Sequence, residues 1–175
     1  MLFRSDPDLN GYAAFHGGPV VAPDGTLRVV INMYEGKGIM DRRGLHQAIC
    51  YMKSTDRGKT WTKADGTPVE LPARPEGMDV IARDRAAERH EDKPPSLINA
   101  GANLALDAQG RPHILYYDHR IAPGQVMHAT TNADGEWRRK KVYALIDAFP
   151  GFRTTDIRNI CMLPGTNRIV ALAEL

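Results

Sequence analysis

Three stretches of this chain follow one plan, and that plan constrains the fold more than any other feature. "GPVVAPDGTLRVVINMY" sets two apolar runs on either side of Pro23-Asp24-Gly25. "ANLALDAQGRPHILYYD" repeats the arrangement around Asp107-Ala108-Gln109-Gly110, and "NICMLPGTNRIVALAEL" around Pro164-Gly165-Thr166-Asn167. Apolar runs joined by such residues read as antiparallel hairpins, because Gly and Asn enter positive φ at little cost. Arg28, His113 and Arg168 hold equivalent places, so successive copies start 85 and 55 residues apart. A charged, proline-containing segment from about Arg74 to Pro95 explains the longer first interval. It accommodates either a short helix over "DVIARDRAAERHEDK", whose Ala, Arg and Glu content permits one, or a long surface loop.

Each of the first two hairpins continues into a second strand pair, "HQAICYMKSTDRGKTWTK" and "QVMHATTNADGEWRRKKV", with a Trp after an Asp/Gly turn. Four strands per unit, repeated, predict an all-β fold: a partial β-propeller of four-stranded antiparallel blades, about three units with the last incomplete. The units read as 12–73, 100–145 and 156–175, with 74–99 as an insertion between the first two. An antiparallel sandwich is the competing architecture.

The segment Ser54 to Trp61, "STDRGKTW", has the look of a catalytic signature, yet each part has a folding role. Asp56 can accept N–H groups across the turn, Gly58 occupies a place where a side chain would clash, and Ser54 closes the loop. Trp61 buries its ring against the sheet. A nucleophilic Ser would need a base and an oxyanion hole, which the segment does not supply.

The 23 basic and 21 acidic residues are interspersed, giving a net charge of +2. That distribution lacks the basic stripe of a nucleic-acid binder, and "RRKK" at 138–141 reads as a solvated strand edge. No apolar run approaches the roughly 18 residues of a membrane span, and the first residues lack the apolar core of a secretion signal. Cys50 and Cys161 lie in apolar runs, where buried free thiols are expected, outside any metal or disulfide spacing. Neither a metal site nor a cofactor is expected.

"STDRGKTW" matches the Asp-box, or BNR repeat, Ser-x-Asp-x-Gly-x-Thr-Trp, and "TTNADGEW" (130–137) is similar to a degenerate copy with its Asp shifted. The chain thus resembles the sialidase-like BNR-repeat propellers. Residues 12 to 142 are similar to the BNR_4-type group, which includes ulvan lyases and related polysaccharide lyases. The resemblance implies a structural role for Ser54, Asp56, Gly58 and Trp61, an acidic oligo- or polysaccharide as partner, and an extracellular or periplasmic location. His16 matches a histidine that precedes a proline in the ulvan-lyase-like pattern, here Pro19. Arg120 falls where that pattern tends to place an Arg, while its second histidine is replaced by "NMYEGKG" unless His46 takes the place.

Propeller topology puts the turns within the hairpins and both Asp-box turns on one face, and the remaining loops on the other. Loops on one face of a scaffold commonly carry function. The second face should collect His16, Tyr117, His119 and Arg120 as catalytic candidates, and Tyr34, Glu35, Asn103 and Arg158 as substrate-binding ones. His, Tyr and Arg side chains suit elimination from a uronate: carboxylate neutralisation, abstraction of the C5 proton, and protonation of the leaving oxygen. Bland readings stand beside these. Tyr117 can be core packing, His16 can cap a turn, His113 and His128 lie inside strands, His90 sits in a charged run, and Glu35 and Asp118 can be solvated.

Three functions stay open: a lyase or glycosidase acting on an acidic sugar, an exo-sialidase, and a non-catalytic carbohydrate- or protein-binding propeller. The Arg-Ile-Pro signature of sialidases is absent. Closed propellers use about four to eight blades, so a chain of this length is expected to be a fragment of a longer protein.

Overall fold

The computed structural model describes residues 10–14, 18–36, 46–84, 98–99, 104–118, 125–142, 156–163, 166 and 168–174. They form antiparallel sheets throughout. In the first, β1 (Asn10–Ala14) and β2 (Val20–Val21) both pair with β3 (Leu27–Gly36), which pairs with β4 (His46–Ser54). Two pieces follow β4 on its far side: β5 (Trp61–Thr62), paired in turn with β6 (Pro68–Val69), and β7 (Asp79–Asp84).

The second sheet repeats the design. β8 (Ile98–Asn99) and β9 (Leu104–Leu106) both pair with β10 (Pro112–Asp118), followed by β11 (Gln125–Thr131) and β12 (Trp137–Lys141). The third unit contributes the hairpin of β13 (Asp156–Met162) and β14 (Ile169–Glu174). The result is the all-β, partial-propeller-like arrangement that the repeated hairpins predict.

The first two units bury both of their faces, which is why β10 is buried along almost all of its length rather than at alternate residues, while the described residues of the third leave Val170 and Leu172 exposed. Val30, Ile49, Tyr51 and Ile81 of the first unit meet Ile114, Tyr116 and Ala129 of the second. Leu115, Tyr117 and Val126 then meet Ile160 of the third. The other face of the first sheet is covered by its own chain. Trp61, Val69, Ala73 and Met78, from the excursion between β5 and β7, close over Val29, Ile31, Cys50 and Met52.

Two polar links tie the first two units together. The Tyr51 and Trp137 rings meet edge to face at 5.1 Å. Arg139, from "RRKK", donates from Nε to the Ile81 carbonyl at 2.6 Å and from Nη2 to the Val80 carbonyl at 2.9 Å. That run is a strand edge as the sequence suggests, and one of its cations also caps carbonyls of the neighbouring unit.

The structure differs from expectation at three places. Asp79–Asp84, inside the segment read as an insertion, is neither helix nor loop but a strand of the first sheet. Its helix-compatible composition yields to burial of Ile81 and Ala82 between the units, tertiary packing overriding a weak local preference. Cys50 is buried, but Cys161 is exposed on β13. The inner strand of the first unit begins at Asn10, so the residues around His16 do not precede it but fall between its two pieces.

Candidate functional site

The turns come first, because they set which end of the sheets is which. Ser54 is 1% exposed, and its hydroxyl donates to Asp56 Oδ1 at 2.8 Å and accepts the Gly58 N–H at 2.8 Å. Asp56 accepts the Thr60 N–H at 2.9 Å and the Thr60 hydroxyl at 2.6 Å, bonds that hold its carboxyl down at about 2. Trp61 donates from Nε1 to the Gly58 carbonyl at 3.1 Å. Every polar group of Ser54 and Asp56 named here is thus used inside the turn.

The stretch similar to a degenerate copy makes a different turn. Asn132 Oδ1 accepts the N–H groups of Asp134 at 3.0 Å and Glu136 at 2.9 Å. The Asn132 N–H also donates to Glu136 O and the Gly135 N–H to Asn132 O, the bonds that the hairpin turns make, and five residues separate the paired Thr131 and Trp137 where eight separate Lys53 and Thr62.

At the same end lie the hairpin turns. The Ala22 N–H donates to Thr26 O, the Asp107 N–H to Arg111 O, and the Leu163 N–H to Arg168 O. At the other end, Glu35 pairs with His46 and Asp118 with Gln125. Tyr34 and Glu35 therefore sit on the end opposite the turns, by backbone position.

The inner strands carry a feature that the sequence did not announce. In the first unit Ala14 pairs with Asn32 and Val20 with Arg28, so residues 15–19 stand against residues 29–31, a surplus of two. In the second unit Asn99 pairs with Tyr117 and Leu104 with Ile114, so residues 100–103 stand against 115–116, again a surplus of two. The two breaks coincide under the 85-residue offset of the repeat. In the third unit the register shifts between Ile157 and Asn159, which places Arg158 at an irregularity of its inner strand. All three interruptions fall a similar number of residues before the hairpin turn.

The candidates distribute as follows. Residues 15–17, 100–103 and 119–124, and with them His16, Asn103, His119 and Arg120, lie outside the described residues, as does His90. Tyr117 is described: it ends β10 beside the break and is 3% exposed, packed with Leu115, Val126 and Ile160. Asp118 is likewise buried, not solvated.

His113 and His128 are neighbours on β10 and β11. Their rings stack at 5.1 Å, with His113 Nδ1 and His128 Nε2 2.9 Å apart. His113 Nε2 lies 3.3 Å from Asp107 Oδ2, which also accepts from Arg111 Nε at 2.7 Å. Burial, then the neighbouring His113 and Lys140, push His128 down to about 4. The pair is a structural histidine couple, as their strand positions suggest.

A cleft of about 640 Å³ opens between the first two units at the turn end, lined among others by Arg28, Lys53, Gln109, Arg111, Asn132 and Gly135. Sequence reasoning missed it, since its cations come from separate segments of two units. Arg28 donates from Nη1 to the Tyr51 hydroxyl at 2.9 Å, while its Nε is buried with no partner among the described residues. Lys53 donates to the Ala64 carbonyl at 2.8 Å, and burial, then the Arg28 charge, hold its ammonium below the ordinary lysine value.

Stacked antiparallel units, each with a hairpin and the first two continuing through a turn followed by a Trp, define a repeat-built, propeller-like β protein. The chain belongs to the BNR repeat-containing family, whose profile matches residues 13–145. None of the curated protein sequences is similar enough to count as a match. Among solved structures, the chain is similar to the crystal structure of polysaccharide lyase Uly1, with 15% sequence identity and a TM-score of 0.48. The similarity covers 93% of this chain and 37% of that one, so the chain spans little more than a third of that protein.

Proposed function

We propose that this chain is part of a carbohydrate-active protein that cleaves an acidic polysaccharide by β-elimination. The observation that supports this reading is the repeated interruption of the inner strands, with the same two-residue surplus in two units and Arg158 at the third. Irregular strand geometry often re-aims a side chain and is frequent beside active sites. His16 and Asn103 belong to these interruptions by sequence. Tyr34 and Glu35 lie among the last residues of β3, and the segment carrying His119 and Arg120 follows β10 in the sequence.

In this reading Arg120 and Arg158 neutralise the uronate carboxylate, which acidifies the C5 proton. His16 or His119 removes that proton, and the C4–O bond breaks as the C4–C5 double bond forms. A tyrosine or the second histidine returns a proton to the leaving oxygen. Tyr34, Glu35 and Asn103 hold the sugar hydroxyls.

Incubation with uronate polysaccharides is expected to raise the ultraviolet absorbance of the unsaturated uronate, and His16→Ala and Arg120→Ala to abolish the rise while leaving the fold intact. Tyr117→Phe separates packing from chemistry, since it keeps the ring and removes only the hydroxyl. If both His16→Ala and Arg120→Ala stay fully active, the assignment is wrong. Release of sialic acid from a glycoside instead, or binding without turnover, would move the protein to another class.

A further inference from the structure

We propose that the cleft between the first two units, at the turn end, binds a sugar-borne oxyanion, a sulfate ester or a carboxylate, of an acidic saccharide. The proposal rests on an acidic polysaccharide being the ligand class, but it concerns a site at the other end of the sheets from the elimination chemistry.

Charge comes first. Arg28, Lys53 and Arg111 line the cleft, and no Asp or Glu is among its described lining residues. The acidic groups nearby already hold partners, Asp24 and Asp65 at exposed positions. Asp107 is 2% exposed at its side chain and bound to Arg111, Asp24 accepts the Thr26 N–H, Asp65 the Thr67 N–H, and Asp79 the Ala64 N–H. Positive charge is thus in excess among the described lining residues.

Donor capacity comes next. A guanidinium carries five N–H groups, and that of Arg28 has one directed bond, to Tyr51, with its Nε unpartnered among the described residues. Arg28 and Lys53 repel each other across a partly buried space, and an anion between them relieves that repulsion. Gln109, exposed at the rim, offers an amide to a sugar hydroxyl.

Size and rigidity favour a saccharide over a bare ion. The volume lies inside the roughly 300–1,000 Å³ of small-molecule sites. One wall is fixed, because Gly135 lies so close to Asp65 that a Cβ there would fall 2.6 Å from its Cα. A nucleic acid fits poorly, since the cations are gathered in one recess and do not form a stripe along the surface.

The test uses the full chain, titrated separately with inorganic sulfate, a sulfated oligosaccharide without uronate, a uronate oligosaccharide without sulfate, and a neutral oligosaccharide. Backbone amide signals of Gly110 and Gly135 are followed by NMR. At least one acidic oligosaccharide is expected to bind and move these signals, more weakly as salt is raised, and the neutral one to leave them still. Which acidic sugar binds identifies the oxyanion. Gln109→Glu, at an exposed turn position, places a negative charge at the rim and is expected to weaken binding about tenfold. Lys53→Gln should do the same.

Unchanged affinity in Gln109→Glu, shifts confined to other residues, or binding of inorganic sulfate as tight as that of the saccharides would overturn the proposal. The two readings fail separately. His16→Ala should leave this binding intact, and a protein inactive against every polysaccharide would still be scored here.

Discussion

Replacing Gly135 with Ala tests whether the first two units are locked together at a single backbone contact. Gly135 has φ +84°, in the left-handed region, and a Cβ built on it would lie 2.6 Å from both Cα and N of Asp65 and 2.7 Å from the carbonyl carbon of Ala64. Carbon atoms rest about 3.5–4.0 Å apart, so the two segments must separate by roughly 1 Å. The atoms in the way are backbone, which cannot swing aside as a flexible side chain would.

Two costs combine. An L residue in the left-handed region costs about 1–2 kcal/mol. Moving the Ala64 segment loosens the bond from its N–H to the Asp79 carboxylate, 2.6 Å long, and a bond to a charged group contributes about 1.5–3 kcal/mol. The total is about 2.5–5 kcal/mol. At roughly 2–4 °C per kcal/mol for a chain of this size, the melting temperature should fall by about 5–20 °C.

Gly25→Ala is the control. That glycine has φ +83° with nothing within 4 Å of its Cβ position, so it pays the backbone cost alone. Calorimetry or thermal circular dichroism on both variants reads the difference. Equal melting temperatures for the two would refute the idea that the contact with Asp65 matters, leaving conformational strain as the whole effect.

Asp56→Asn should change the response to acid. The wild-type carboxyl is held at about 2 by Thr60 and Ser54, so its contribution is full above its unfolded value near 4 and is lost as pH falls toward 2. Denaturant midpoints measured down that range should lose this slope in the variant. His128 acts higher on the scale. Its folded value, about 4, lies below the ordinary 6.5, so the unfolded chain takes up the proton first and stability falls as pH drops from about 6.5 toward 4. His128→Gln should flatten that part of the profile, and an unchanged profile would remove His128 from it. Arg139→Ala removes both bonds to the β7 carbonyls and should cost about 1–3 kcal/mol in a chemical melt.

The three hairpins were legible because their turns are spelled in residues that few other structures use: Pro-Asp-Gly, Asp-x-x-Gly and Pro-Gly-x-Asn. The Ser54–Trp61 turn was legible for the same reason. Its expected copy was legible as a turn but not in kind, since residues 132–136 make the bonds of a hairpin turn rather than those of Ser54–Trp61. β7 was hidden because Ala82, Arg83 and their neighbours suit a helix, and only the facing second unit makes the extended form better. The split inner strand was hidden behind Gly17-Gly18-Pro19, which reads as a loop before a strand. The cleft was least visible of all: Arg28, Lys53 and Arg111 belong to two units and meet only through packing.

The size of the inner-strand interruptions also has a bearing on how such a unit can vary. Side chains along a strand alternate with a period of two, so a slip of one residue exchanges the two faces, whereas a slip of two restores them. With a surplus of two, β1 and β2 meet β3 with the same parity, and so do β8 and β9 with β10. Residues inside the interruption can therefore be exchanged for chemistry without turning any core residue of the flanking strand toward solvent. The shift beside Arg158 is odd, and there the faces do exchange: Asp156 and Ile157 follow one alternation, Asn159 and Ile160 the other. An even interruption is neutral to the packing between blades, and the surplus of two is kept from the first unit to the second although the interruption itself shortens by one residue on each strand.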